Sequence, residues 1–249
     1  PCGDSLHGCQ KTPCADGNGF QDYYGNCIED DKIDATQLTD KAKCLNDKLT
    51  KNGNTFVKDL LANFNGNSEF DINIKSVQNI FSDKRQQYAS GQAIHTPGEK
   101  LIYINISTDK ISTASVLSGI RTILHEYIHA DIYRKLNTKD DANQDEIKDF
   151  KETYEKYERE EHHNSIASLY INSMTKSLKD IHKKILPREY DYFVDGWGAD
   201  TLDDLYESLA WQGLKNHKLD AWKNLGSDTT RINNTLSLHS HRLTPNCPE

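Results

Sequence analysis

His125, Glu126 and His129 stand together in LHEYIHADIYRK, residues 124–135. Two histidines four apart project from one side of a helix, where both imidazoles can hold one metal ion. Glu126 lies about 100° round the helix from His125, beside the open coordination position rather than on the metal. From there a carboxylate can take a proton from a metal-bound water and later pass it on. The surrounding residues leave little polar face: Val116, Ile120, Ile123, Leu124, Tyr127 and Ile128 populate a helix predicted over 113–135. Three ionisable groups in so apolar a helix need partners, because burying an unpaired charge is strongly unfavourable. A metal ion provides one. Two imidazoles, a third protein ligand and an open position suit catalytic Zn²⁺.

The third ligand is not supplied by the motif's own continuation. Three residues after His129 comes Ile132 rather than Gly, and six after comes Lys135 rather than His, which excludes the metzincin pattern. EHHNSIASLY, residues 161–170, opens the next apolar-periodic helix, predicted over 163–185. His163 extends the stripe of Ile166, Tyr170, Met174, Leu178 and Ile181, and Ala167 leaves room one turn on. His162 lies on the neighbouring line with Ile166, Leu169 and Ser173, and Glu160, Glu161 and Glu207 are carboxylate alternatives. Glu207 could instead orient a ligating imidazole from behind. Trp211, in LAWQGL, fits either core packing or the cleft. Tyr206, Tyr192 and His217 are candidates for stabilising an oxyanion. His95, His182, His239 and His241 are expected at the surface.

The elements that must position these residues are legible in outline. Two helices are predicted across 36–65, broken by KNGN at 51–54. FDINIKSV (70–77) and LIYINIS (101–107) alternate with period two and read as strands; QAIH (92–95) can pair with the second across the TPGE turn at 96–99. The expected fold class is α+β, with a small, mostly antiparallel sheet, the HExxH helix and further C-terminal helices. The strand at 101–107 is the expected edge for an extended peptide. Residues 142–160 are charged nearly all round, 201–224 read as a last helical stretch, and 228–249 as a polar, irregular tail.

Composition bounds the function. Thirty Lys and Arg against 38 Asp and Glu give a net charge of -8, which argues against nucleic-acid binding. No apolar run approaches the length of a membrane span. Cys2, Cys9, Cys14 and Cys27 crowd a turn-rich segment without CxxC knuckles, so residues 1–35 are expected to be a disulfide-stapled N-terminal extension to a domain over 36–249. Cys44 and Cys247 are the natural remaining pair. Such cysteine usage implies a secreted or cell-surface protein. The start at Pro1 and a lone methionine, Met174, suggest a piece of a longer parent protein.

TDKAKCLNDKL (39–49), IYIN (102–105), ASVLSGIRTILHEYIHA (114–130), HHNSIASLYINSMTKSL (162–178) and YESLAWQGL (206–214) follow one another in an order that resembles bacterial SprT-like, zincin-type metallopeptidase domains of secreted or surface proteins. The resemblance covers roughly 36–225. It implies His125, His129 and His163 as zinc ligands and Glu126 as catalytic base, because in that group a histidine followed four residues later by alanine opens the helix after HExxH. It departs from SprT proteins proper in lacking a C-terminal cysteine ribbon, so their DNA-linked roles do not carry over. The expected activity is hydrolysis of peptide bonds in a peptide or protein substrate. The alternatives are a zinc hydrolase acting on a non-protein amide or cell-wall peptide, and a zinc-bearing binding module without turnover.

Overall fold

The computed structural model describes residues 20–21, 27–28, 32–65, 68–82, 86–138, 163, 165–215 and 219–248. Strands β1 (Phe20–Gln21) and β2 (Cys27–Ile28) form a short antiparallel pair. The main sheet is built from β3 (Ile33–Gln37), β4 (Asp71–Val77), β7 (Gly91–His95) and β8 (Leu101–Ser107), in the order β3-β4-β8-β7. A separate hairpin, β5 (Ile80–Ser82) with β6 (Gln87–Ala89), lies between β4 and β7 in the chain.

The α+β class holds, but the sheet is not mostly antiparallel. Pairs β3–β4 and β4–β8 are parallel, and only β7–β8 is antiparallel. Period-two alternation marks a strand and its buried face without encoding direction. Direction follows from the connections, and parallel neighbours need a crossover of a dozen residues or more. Helices α1 (Asp40–Asn52) and α2 (Thr55–Ala62) supply that crossover between β3 and β4. The hairpin expected at TPGE is present, with Glu99 N donating to Thr96 O at 3.0 Å. Its consequence is a second correction: 101–107 is an interior strand, and β7 is the edge. The sheet also takes in residues 33–35 of the predicted extension.

Ile72 and Ile74 of β4 and Ile102, Ile104 and Ile106 of β8 bury one sheet face. Against it lies α4 (Val116–Asn137), preceded by α3 (Thr108–Thr113). The single helix predicted over 113–135 is thus interrupted at Ala114–Ser115, because the Ser115 side chain caps α4 by accepting from Ser118 N at 3.2 Å. α4 is apolar nearly all round because it is enclosed nearly all round. Leu45 and Leu49 of α1 pack in the same core, and Tyr127 donates to buried Asn46 Oδ1 at 2.9 Å. After a π-helical turn (Ile166–Tyr170) come α5 (Ile171–Ile185), α6 (Pro187–Trp197), α7 (Ala199–Trp211), α8 (Asp220–Asn224) and α9 (Asp228–His239).

The stretch 201–224 is therefore two helices, split by a turn at 212–214. The supposedly irregular tail contains α9, which buries Ile232, Leu236 and His239. Three buried positions in a polar segment are too thin a pattern to read until the face of α7 is there to receive them. Beyond α9 the chain returns to the start of α4, where Val116 N donates to Thr244 O at 2.8 Å. Cys247 there is disulfide-bonded to Cys44 of α1, with Cα atoms 6.4 Å apart. The bridges expected within 2–27 and the charged segment 142–160 lie outside the described residues. Among the described residues no helix is long and apolar enough to cross a membrane.

Candidate metal centre

His125 and His129 occupy successive turns of α4, and their Nε2 atoms stand 3.1 Å apart with ring centroids at 4.7 Å. His163 reaches the pair from the segment preceding the π-helical turn, its ring 5.7 Å from His125 and 5.0 Å from His129. One nitrogen from each of the three lies within 4.8 Å of the others. His125 is buried and the other two are half-buried. The His125–His129 separation is close to what one tetrahedral ion requires: with metal–nitrogen bonds of about 2.0–2.1 Å, two imidazole nitrogens at a tetrahedral angle sit roughly 3.3 Å apart. This group could hold a metal ion.

The segment bearing His163 is tied to α4 one turn past His129. Buried Asp131 accepts from Arg134 at 2.9 Å and from Asn63 at 3.1 Å, and its other oxygen lies 3.3 Å from Lys135 Nζ. Tyr170, closing the π-helical turn, sits 3.4 Å from that second oxygen and accepts from Lys135 at 3.3 Å. Burial, with Asp131 adding to it, pushes the Tyr170 hydroxyl up to about 12. Extra residues in a helical turn of this kind recur where a side chain must be re-aimed at a site.

Glu126 is 6% exposed, and β7 passes directly over it. A Cβ on Gly91 would stand 2.8 Å from Glu126 Oε1. At the other end of β7, His95 packs against Tyr133 of α4 with ring centroids 5.4 Å apart. Four residues of strand span about 13 Å and seven of helix about 10.5 Å, so β7 runs alongside α4 for the length of the motif. Tyr133 is half-buried, and its hydroxyl is raised by burial and by the charge of Glu126.

The remaining sequence candidates fall elsewhere. Glu207 does not orient an imidazole; its Oε2 accepts from Arg231 Nη2 at 2.8 Å. Trp211 is buried core, edge-on to Trp222 at 5.3 Å. Tyr206 is fully buried with its hydroxyl 2.8 Å from His182 Nδ1, and Tyr192 is exposed and packs on Trp197. The alternatives to His163, namely Glu160, Glu161 and His162, and also His217, lie outside the described residues. His182 and His239 are buried rather than at the surface, since α6, α7 and α9 close over them. Gly91 and Arg121 went unremarked in the sequence. A glycine at the head of a strand was the available signal for the first, as it marks close approach of another group. An arginine on an otherwise apolar helix was the signal for the second.

Comparison with known proteins returns no match to a family model, a curated protein or a solved structure.

Proposed function

We propose that this chain is a zinc-dependent metallopeptidase that hydrolyses peptide bonds, with His125, His129 and His163 as ligands and Glu126 as catalytic base. The observation that carries the reading is the convergence of three imidazole nitrogens within 4.8 Å, two from the buried helix α4 and one from the segment before the π-helical turn, with the carboxylate of Glu126 next to His125 in the chain. A zinc ion held there supplies Lewis acidity toward a carbonyl oxygen and toward water. Glu126 accepts the proton of the attacking water and returns it to the leaving amine. Strand β7, at the end of the sheet order, offers backbone groups to an extended peptide, and Gly91 leaves room for Glu126 beneath it. Kinship with SprT-like, zincin-type domains is kept as a proposal resting on the sequence segments alone. The Cys44–Cys247 disulfide supports a secreted or cell-surface location.

The test is elemental analysis of the purified chain together with digestion of a broad peptide library, with and without chelator. One zinc per chain and chelator-sensitive cleavage are expected. Glu126→Gln should keep the metal and lose hydrolysis by about 10²–10⁴-fold, the usual contribution of a positioned base. Metal binding without cleavage of any peptide would overturn the peptidase reading in favour of a binding module or a hydrolase of other amides.

A further inference from the structure

Arg121 lies on α4 four residues before His125, so it shares that side of the helix one turn nearer the N-terminus. It is 9% exposed. Its Nε is buried without a hydrogen-bond partner. The other buried or half-buried cations near the site have anions in contact: Arg134 and Lys135 share Asp131, and on α9 Arg231 holds Glu207. Arg121 has no ion pair among the described residues. The nearest influence of opposite sign is the longer-range charge of Glu126, and burial still pushes the guanidinium down to about 10, where it stays protonated at neutral pH. Above it sits the turn after α7. Gly213 has φ +92°, and a Cβ there would stand 3.4 Å from Arg121 Nη1 and 3.8 Å from Nη2. A Cβ at 213 would therefore only touch the fork of donors, and the positive φ is what favours glycine at this turn.

A buried, unpaired guanidinium is costly, and an incoming anion relieves the cost. Its planar fork of N–H donors suits a carboxylate. From these observations we infer that Arg121 is the binding group of a carboxylate subsite beside the metal centre, so that the enzyme selects peptides carrying a carboxylate next to the cleaved bond. This rests on the peptidase reading. Position argues against a role at the reacting carbonyl. Four residues displace the Arg121 Cα by about 6 Å from that of His125, and helical side chains lean further toward the N-terminus. That reach suits a group about one residue from the cleaved bond. The carboxylate is either the substrate's own C-terminus or an Asp or Glu side chain.

Two measurements decide it. In the metal-stripped full chain, where no carboxylate can ligate metal instead, the Arg121 Nε–Hε resonance is followed by NMR, assigned by its loss in Arg121→Gln. Three probes are titrated: N-acetylglutamine (terminal carboxylate only), N-acetylglutamic α-amide (side-chain carboxylate only) and N-acetylglutaminamide (neither). A saturable shift with a carboxylate probe and none with the neutral one is expected, and the effective probe names the source. No shift with either, or equal shifts with all three, overturns the subsite. In the zinc-loaded chain, cut sites in free-acid and C-terminally amidated peptide libraries should favour carboxylate-bearing peptides. Arg121→Gln should reduce the kcat/KM ratio of acidic to neutral peptides roughly 10- to 100-fold, as expected for losing a charge-assisted hydrogen bond. An unchanged ratio overturns the inference. If no peptide is cut at all, the peptidase reading fails, and the resonance titration still decides the subsite.

Discussion

Gly91 and Glu126 approach so closely that a Cβ on the glycine would lie 2.7 Å from Glu126 Cγ and 2.8 Å from its Oε1. The edge strand of the sheet therefore fixes where the carboxylate of the HExxH motif can go. A side chain at 91 would meet the Glu126 side chain rather than backbone, so the conflict is relieved by displacing the carboxylate rather than by unfolding β7. On the proposed peptidase reading, Gly91→Ala is expected to lower hydrolysis by at least about 10-fold, because small displacements of a catalytic group are costly. Metal content and melting temperature should stay close to those of the parent chain. Full activity in Gly91→Ala would show that Glu126 is not held by this approach.

If the three imidazoles hold a metal ion as proposed, the stability of the chain depends on that metal. An ion that binds only the folded chain stabilises it by about 2.7 kcal/mol when present at 100 times its Kd. Adding zinc to the stripped chain should therefore raise its melting temperature. His163→Ala should weaken zinc binding by more than about 100-fold, since even groups that merely orient a ligand contribute 10- to 100-fold. Zinc affinity measured by competition with a chromophoric chelator checks this; an unchanged value removes His163 from the ligand set.

The Cys44–Cys247 bridge spans 203 residues of sequence. On the chain-entropy model a loop of that size contributes about 5 kcal/mol by restricting the unfolded chain. The double substitution Cys44→Ala, Cys247→Ala should lower stability by several kcal/mol in urea titration while leaving His125, His129 and His163 assembled. A change under about 1 kcal/mol would mean that the termini are held by other contacts, such as the bond from Val116 to Thr244.

Glu189 joins α6 to the returning tail, accepting from Thr244 N at 2.7 Å with its other oxygen 3.1 Å from His182 Nε2. Burial raises its pKa, but the His182 and Thr244 interactions outweigh that and leave it below its ordinary 4.5. A depressed carboxyl contributes stability that is fully present above pH 4.5 and is lost as pH falls through the lower folded value. Glu189→Gln should accordingly be less stable than the parent at pH 7, with the gap narrowing below pH 4.5. A gap that stays constant down to pH 3 would show that the charge of Glu189 is not what is lost.

The pair His125 and His129 and the carboxylate of Glu126 were legible as a group in the sequence because they sit within one helix. Helical geometry alone places His125, Glu126 and His129, and the apolar residues around them mark the helix as buried. The period-two strands, the β7–β8 hairpin and the two-helix reading of 36–65 are likewise local. His163 was reachable through the stripe it extends, although the π-helical turn at 166–170 makes that register irregular. Strand direction, the identity of the edge strand and the burial of α9 were decided only in three dimensions. Each depends on which surface arrives from a distant part of the chain, and no local period records that. The same holds for Gly91 and Arg121. Gly91 is one more strand glycine until β7 lies over α4, and Arg121 is one more helical arginine until the turn at Gly213 closes over it with no counter-ion in contact among the described residues.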